Sequence, residues 1–269
     1  MIGLISSALD PASKNMTEHL VSEYNFEEVE MFGRKCWKDV DLVLCMLDGP
    51  LVHAEFVDSW GFGVIYFLSK HKSNNGIPSL TTHSLGNWGV GAKIGGKPHE
   101  LSCAAPYQML SVLNRINMMD ASGVEKTYEA THHGPLLKTP SLFVELGGDD
   151  ATINNPELAK RLADALYVAI PEGKAITPEK VAIGIGGMHY PRKFTQLALE
   201  KGYAFSHIMP KHAITNQDGS DNLAMLDQAA QKSKDTPNLA VIEWKSINAP
   251  TKDRVIKKLN ELGLEYERA

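Results

Sequence analysis

Short runs of β-branched and apolar residues alternate along this chain with longer stretches whose apolar positions recur every three or four residues. The first pattern belongs to buried strands and the second to amphipathic helices. Their alternation predicts an α/β sandwich with a partly parallel sheet. Residues 1–7 read as a strand, and 11–24 as a helix that opens behind Asp10 as cap with Pro11 in its first turn. Strands are expected at 41–47 ("DLVLCML") and at 63–68 ("GVIYFL"), the second running on to Ser69 and His71. From 73 to 106 Gly, Asn, Ser and Thr abound and periodicity lapses, so a long irregular excursion is expected there. Excursions of that length inside a domain usually carry function.

Beyond it, 107–121 has a helical pattern that stops before Gly123, and 126–130 and 141–146 read as strands. A helix over 156–169 has Asn155 as cap; a strand at 181–185, a helix at 193–201 and a strand at 204–208 follow. A helix near 221–232, a strand at 239–244 and a helix at 252–262 complete the reading. Neither an internal repeat nor a linker divides the sequence, which predicts one α/β domain over residues 1–269.

Composition narrows the class. With 43% hydrophobic and 22% charged residues the chain reads as a globular protein with a core of ordinary size. It contains no apolar span of roughly twenty residues, so no membrane helix is expected. The opening "MIGLISSALD" lacks a basic leader and reads as a first strand. A net charge of −5 argues against a protein that coats nucleic acid, and DNA is not an expected partner. Local basic patches remain, at "KHK" (70–72), Lys93 with Lys97, and Arg192 with Lys193. Cys36, Cys45 and Cys103 are odd in number, widely spaced and free of any C-x-x-C pair. Neither a disulfide framework nor a cysteine-rich zinc ribbon is expected, and a reduced, cytoplasmic setting fits. Cys103 reads as a buried structural thiol.

Several motifs fail informatively. "GAKIGGKP" (91–98) has the glycines and lysine of a phosphate-binding loop, but Pro98 stands where the magnesium-holding Ser or Thr belongs. "GIGGMH" (184–189) begins like a dinucleotide fingerprint, yet His189 occupies the third glycine position. Those glycines would serve either a tight strand-to-helix turn or a close approach of backbone to a ligand. No G-x-S-x-G elbow is present, which disfavours a standard serine hydrolase.

The histidines are the strongest chemical signal. Of ten, His71, His83, His132, His133, His189, His207 and His212 fall where predicted strands end. In "YEATHHG" (128–134) His132 and His133 adjoin, and neighbours on a strand face opposite ways. Both can serve one site only if the strand has ended, as Gly134-Pro135 indicates. Strand ends of a twisted sheet converge on one rim, and Glu129 and Glu145 are near enough to supply carboxylates. Such a group could bind zinc with an open position for water, or work without metal through a histidine base and backbone amides. Spacing does not choose between them, because no H-E-x-x-H pair occurs.

Four segments, "SLTTHSLGNWG" (79–89), "YEATHHGP" (128–135), "IGIGGMHYPRKFTQLAL" (183–199) and "FSHIMPKHA" (205–213), resemble the D-aminoacyl-tRNA deacylase family of archaea and plants. The similarity runs from "MIGLISSALDPAS" to the closing "VIEWKSI" and its terminal helix. The resemblance implies hydrolysis of the ester between a D-amino acid, such as D-tyrosine, and the 3′ end of its tRNA, a chiral proofreading activity. It also implies zinc, as two ions per subunit, and a cytoplasmic monomer. The fold implied is akin to phosphorylases and peptidyl-tRNA hydrolases, a three-layer sandwich whose central mixed sheet is flanked by helices. Carried onto this sequence, it places His83, His132, His133 and His189 at the catalytic and metal site, with Glu129 and Glu145 as carboxylate partners. Amides of Gly186 and Gly187 would stabilise an oxyanion, while Asn87, Trp88 and Lys211 would line a pocket for adenosine or amino acid. Trp88 could equally be a core aromatic. Two other readings stay open: a phosphorylase- or peptidase-like hydrolase of a small soluble substrate, and a non-catalytic RNA- or metal-binding protein.

Overall fold

The first strand, β1 (Ile2–Ser7), is buried along its whole length, and the chain leaves it for α1 (Pro11–Glu23), whose first turn is capped by Asp10 accepting from the Ser13 amide at 3.1 Å. The computed structural model describes residues 1–72, 76–216 and 218–269. A hairpin follows, β2 (Glu27–Met31) and β3 (Arg34–Asp39), then β4 (Leu42–Leu47) and β5 (Val64–Lys72). Next come β6 (Ser79–His83), the short β7 (Gly86–Asn87) and β8 (Glu100–Leu101), α2 (Pro106–Met118), β9 (Glu125–Tyr128) and β10 (Ser141–Gly148). The remainder is α3 (Asp150–Ile153), α4 (Pro156–Ala175), β11 (Lys180–Ile185), α5 (Arg192–Lys201), β12 (Tyr203–Met209), α6 (Met225–Gln231), β13 (Leu239–Ile242), α7 (Ala249–Glu261) and β14 (Glu265–Arg268).

Eight strands form a central mixed sheet in the order β2-β3-β4-β1-β5-β10-β6-β9. Strands β4, β1, β5 and β10 run parallel, β6 is antiparallel to β10, and β9 is parallel to β6. One face is covered by α1, α2 and α4 through Leu4, Tyr66, Val144, Met16, Leu113 and Leu162. The opposite face packs Ile65, Phe67 and Phe143 against two 3-10 turns, Leu51–His53 and Glu55–Trp60. A second sheet, β12-β11-β13-β14, is wholly parallel and has its own core with α6 and α7. The α/β class and the helix-flanked mixed sheet are as the resemblance implied; the separate four-stranded sheet was not foreseen.

Five local expectations need correction. The excursion is not irregular throughout: β6 is fully buried between β10 and β9, because its Ser and Thr residues are strand-compatible and Thr81 finds a buried acceptor. The first residues of that excursion, 73–75, lie outside the described residues. Helix α4 does not stop at residue 169 but runs through Pro171 to Ala175, its late carbonyls at Ala169 and Gly173 taking hydrogen bonds from Ser111 and Gln108 of α2. Helix α6 is shorter than the pattern over 221–232 implied. Finally, Cys36 and Cys45 stand opposite each other on β3 and β4 and are disulfide-bonded, with Cα atoms 4.6 Å apart. Without the β2–β3 hairpin, whose charged residues masked it, the register that brings these two cysteines together was invisible in the sequence. Cys103 is only half-buried, and burial pushes its thiol up.

Candidate metal and catalytic site

Period-two alternation sets one wall of the site. In the register of β10 with β5, Glu145 lies opposite Ser69 and Gly147 opposite His71; in that with β6, Phe143 lies opposite His83 and Glu145 opposite Thr81. His71, Glu145, Thr81 and His83 therefore face the same way, and His83 stacks on Phe143 with ring centroids 5.3 Å apart. The second wall is the turn after β9, which carries Glu129, His132 and His133. The strand has ended at Tyr128, and His133 adopts a φ of 44°, so both adjacent histidines reach one site with centroids 4.3 Å apart. Gly134 makes room for this turn: a Cβ there would lie 2.2 Å from the Gly96 amide nitrogen. Gly95 and Gly96 of the failed phosphate loop thus serve close packing, whereas a Cβ on Gly91 would meet nothing. His189 closes the site from the loop after β11, held by the Ala130 amide donating to its carbonyl at 2.8 Å.

Two buried carboxylates stand at the centre. His189 Nε2 lies 2.7 Å from Glu129 Oε2, His71 Nδ1 3.3 Å and His132 Nε2 3.6 Å from the same atom. Glu145 Oε2 is 3.5 Å from His71 Nδ1 and 3.4 Å from His83 Nε2. Thr81 Oγ1 donates to Glu129 Oε1 at 2.6 Å. Three imidazoles are fixed by their other nitrogen: Nδ1 of His83 sits 3.0 Å from the Ser84 carbonyl, that of His132 2.9 Å from Ala130 and that of His133 2.7 Å from Gly134. A carbonyl accepts, so each Nδ1 carries a proton and each Nε2 is the nitrogen turned into the site, the orientation of metal-ligating histidines.

Ionisation balances within the cluster. Burial acts to raise Glu145, but the His71 and His83 imidazoles beside it hold it well below the usual carboxylate range. Burial presses His71 down, yet Glu145 and Glu129 carry it up to about 9, and His83 is raised in the same way. His132 is driven well below its ordinary value by burial and by the neighbouring histidines, and His133 falls to about 4. The two carboxylates thus favour the charged form of the imidazoles beside them, a role that a divalent cation can take over. Three overlapping sets fit one: His71, Glu129, His132 and His189; His83, His132 and His133; and His83, Glu129 and Glu145, the donor atoms of each lying within 4.8 Å of one another. Buried His83 Nε2, Glu129 Oε2 and Glu145 Oε2 lack well-formed hydrogen bonds among the described residues, which is the chemistry of a donor set made for a cation.

Two clefts open on this cluster and share His189. One, of about 460 Å³, is lined by Trp88, Thr131, His132, His189, His212 and Asn222; the other, of about 760 Å³, by His71, His189, Tyr190, Arg192, Lys193 and Glu243. Both are of a size that takes a nucleoside or an amino acid.

The residues singled out in the sequence divide clearly. His83, His132, His133, His189, Glu129 and Glu145 come together, joined by His71, which stood among the strand-end histidines but outside the site implied by the resemblance. Asn87 and Trp88 line the first cleft with their polar atoms committed, Asn87 Nδ2 donating to the Gly95 carbonyl at 2.9 Å and Trp88 Nε1 to that of Thr131 at 3.0 Å. Trp88 is 5% exposed and packs in the second core. The oxyanion role for Gly186 and Gly187 is corrected: their amides already donate, to the Met209 carbonyl at 2.8 Å and to Ser246 Oγ at 2.9 Å. A Cβ on Gly187 would meet Glu243 Oε2 at 2.4 Å, so close packing explains this glycine. Lys211 is exposed in a 3-10 turn and does not line either cleft, its amide donating to the Gly187 carbonyl at 3.0 Å. His207 is buried within β12 and not at its end, its ring bonded to the Lys232 carbonyl at 3.0 Å.

Known proteins resemble this chain over most of its length. Residues 60–267 match the family model described as D-aminoacyl-tRNA deacylase. The D-aminoacyl-tRNA deacylase of Pyrococcus furiosus is 32% identical over 273 residues, covering 98% of each chain, and that of Saccharolobus solfataricus 34% identical over 269 residues, covering 98% of this chain and 99% of its own. A crystal structure of a conserved protein of unknown function superposes with a TM-score of 0.89 at 28% identity, over 100% of this chain and 95% of that one. A histidine- and carboxylate-lined rim on the same fold, with matches over almost the whole length, leads to one conclusion: this chain belongs to the D-aminoacyl-tRNA deacylase family.

Proposed function

We propose that this protein hydrolyses the ester joining a D-amino acid, D-tyrosine among them, to the 3′ end of tRNA, releasing both, as a zinc-dependent chiral proofreading enzyme. The observation that carries the reading is the pair of buried carboxylates, Glu129 and Glu145, ringed by His71, His83, His132, His133 and His189 at the mouth of two clefts. Zinc, as two ions, would be held by His83, His132, His133, His71 and the two carboxylates, and when bound supplies a positive charge that polarises the ester and acidifies water.

The protein's own groups supply the rest. His189 is the most open of the cluster, with 42% of its side chain exposed, and it reaches both clefts with Nε2 2.7 Å from Glu129 Oε2. It can take a proton from the attacking water and give it to the departing ribose oxygen as the ester breaks, with Glu129 beside it to orient the ring. Thr81 holds Glu129 in register for this exchange. The cleft beside Trp88 and Thr131 accepts the aminoacyl group, whose Cα substituents must be read for chirality. A wrong enantiomer that leaves a buried polar group unpaired is rejected by a few kcal/mol. A charged-tRNA substrate points to the cytoplasm, and the implied unit is a monomer.

The test is release of D-tyrosine and of L-tyrosine from their charged tRNAs by the purified protein. Loss of the D-ester alone supports the reading. Equal hydrolysis of both, or turnover only of small nucleosides or peptides, would favour the small-substrate hydrolase.

A further inference from the structure

The four-stranded sheet is wholly parallel, so the carboxyl ends of β12, β11, β13 and β14 lie along one edge. Ligands of α/β sheets gather at such edges. The loop after β11 carries His189 of the metal cluster and leads to Lys193 at the start of α5. After β12 comes Lys211; after β13 come Trp244, Lys245 and Lys252; and β14 ends in Arg268. Lys193, Lys211, Lys245 and Arg268 are exposed, and Lys252 is half-buried. Among the described residues none of the five has a carboxylate within ion-pair distance, whereas nearby Lys180, Arg192, Arg254 and Lys258 are paired. Acidic groups on this edge are Glu243, turned toward Gly187, Asp253, the carboxyl group of Ala269, whose oxygen accepts from the Trp244 amide at 3.1 Å, and, after β12, Asp218, bonded to Ser220, and Asp221, paired with Arg254.

Trp244 is the aromatic centre of the edge. The Arg268 guanidinium lies 3.9 Å and Lys252 Nζ 4.6 Å from its ring. Its turn is tied to the catalytic loop, because Ser246 Oγ accepts from the Gly187 amide two residues before His189. The cations are spread over four strand ends and do not converge on one pocket. That distribution suits a polyanion and not a free phosphate. In a chain of net charge −5 it also gives the surface a direction, steering a polyanion toward the metal cluster and away from the rest.

We propose that this edge, with Lys193, Lys211, Lys245, Lys252 and Arg268 around Trp244, docks the phosphate backbone of the acceptor arm of an RNA whose 3′ end enters the cleft at His189. The inference rests on the deacylase reading for what happens at that 3′ end, but RNA docking is measurable without turnover. The probe is uncharged tRNA, titrated against wild type and against the double variant Lys245→Glu/Arg268→Glu over a series of salt concentrations. The variant is expected to bind about tenfold more weakly, with a salt dependence shallower by about two in the slope of log K against log salt. The ratio of kcat/KM for D-tyrosyl-tRNA to that for a D-tyrosyl ester on a short CCA-ended fragment is expected to fall about tenfold in the variant, since only the longer RNA reaches the edge. A second double variant, Lys193→Glu/Lys211→Glu, tests the other two strand ends without touching the Trp244 turn, and a thermal melt identifies any variant that fails to fold. Unchanged affinity and unchanged salt slope in both folded variants would overturn the docking edge. Salt-dependent tRNA binding that the variants lose, in a wild-type protein that hydrolyses no D-ester, would leave the edge standing and remove the deacylase reading.

Discussion

Thr81→Val isolates one atom of the site. Valine keeps the shape and β-branching that β6 requires, and removes only the hydroxyl that donates to Glu129 Oε1 at 2.6 Å. Both residues are at most 1% exposed, so water cannot replace the lost donor. A hydrogen bond to a buried charge is worth roughly 1.5–3 kcal/mol, which sets the expected loss of stability in metal-free protein. For a chain of this size that corresponds to a fall in melting temperature of about 3–5 °C. The loss depends on pH with a definite sign. Glu129 is held below its ordinary value of 4.5 in the fold, where burial acts to raise it and His189 to lower it, so its charged form contributes stability above that value and loses it as pH falls. Wild type and variant should therefore converge in acid. Freed to rotate, Glu129 also offers a poorer metal ligand, and zinc affinity should drop about 10–100-fold. Melting with and without chelator at pH 7 and over a series of acid pH values below 4.5, together with a zinc titration, measures all three. An unchanged melting temperature and unchanged zinc affinity would refute the idea that Thr81 positions Glu129.

Further outcomes are expected. His132→Ala and His189→Ala should each lower D-tyrosyl-tRNA turnover on the order of a hundredfold or more while leaving the fold intact, as circular dichroism can check; retained activity in both would take them off the reacting centre. Zinc binding near pH 7 should release at least about one proton, because His71, carried up to about 9, must give its proton up. Calorimetry in two buffers of different ionisation enthalpy reads that number, and no release would contradict the charge balance drawn here. His207 is fully buried and neutral, its value pushed down to about 4 from 6.5, first by desolvation. The unfolded chain binds this proton at 6.5 and the folded chain does not, so stability is complete above 6.5 and falls by roughly 3 kcal/mol as pH approaches 4. His207→Gln, which keeps a donor for the Lys232 carbonyl, should show a smaller acid loss in urea melts.

Much of this was legible in the chain. The strand at β1, the Asp10-capped helix and the clustering of histidines at strand ends follow from period, caps and breakers, all local properties. Local signals could not show β6, whose Ser and Thr residues are buried only because β9 and β10 enclose them. Nor could they pair Cys36 with Cys45, a matter of cross-strand register. His71 was missed as a site member because its role depends on β5 lying beside β10. Glycines misled for a related reason: Gly187 reads like an anion cradle until Glu243 and Ser246 are seen to fill the space around it.

The most direct test of the central claim is D-tyrosine release from D-tyrosyl-tRNA before chelation, after it, and after zinc is restored. The account predicts that activity vanishes with the metal and returns with it. Full D-selective hydrolysis by protein shown to be free of metal would contradict it.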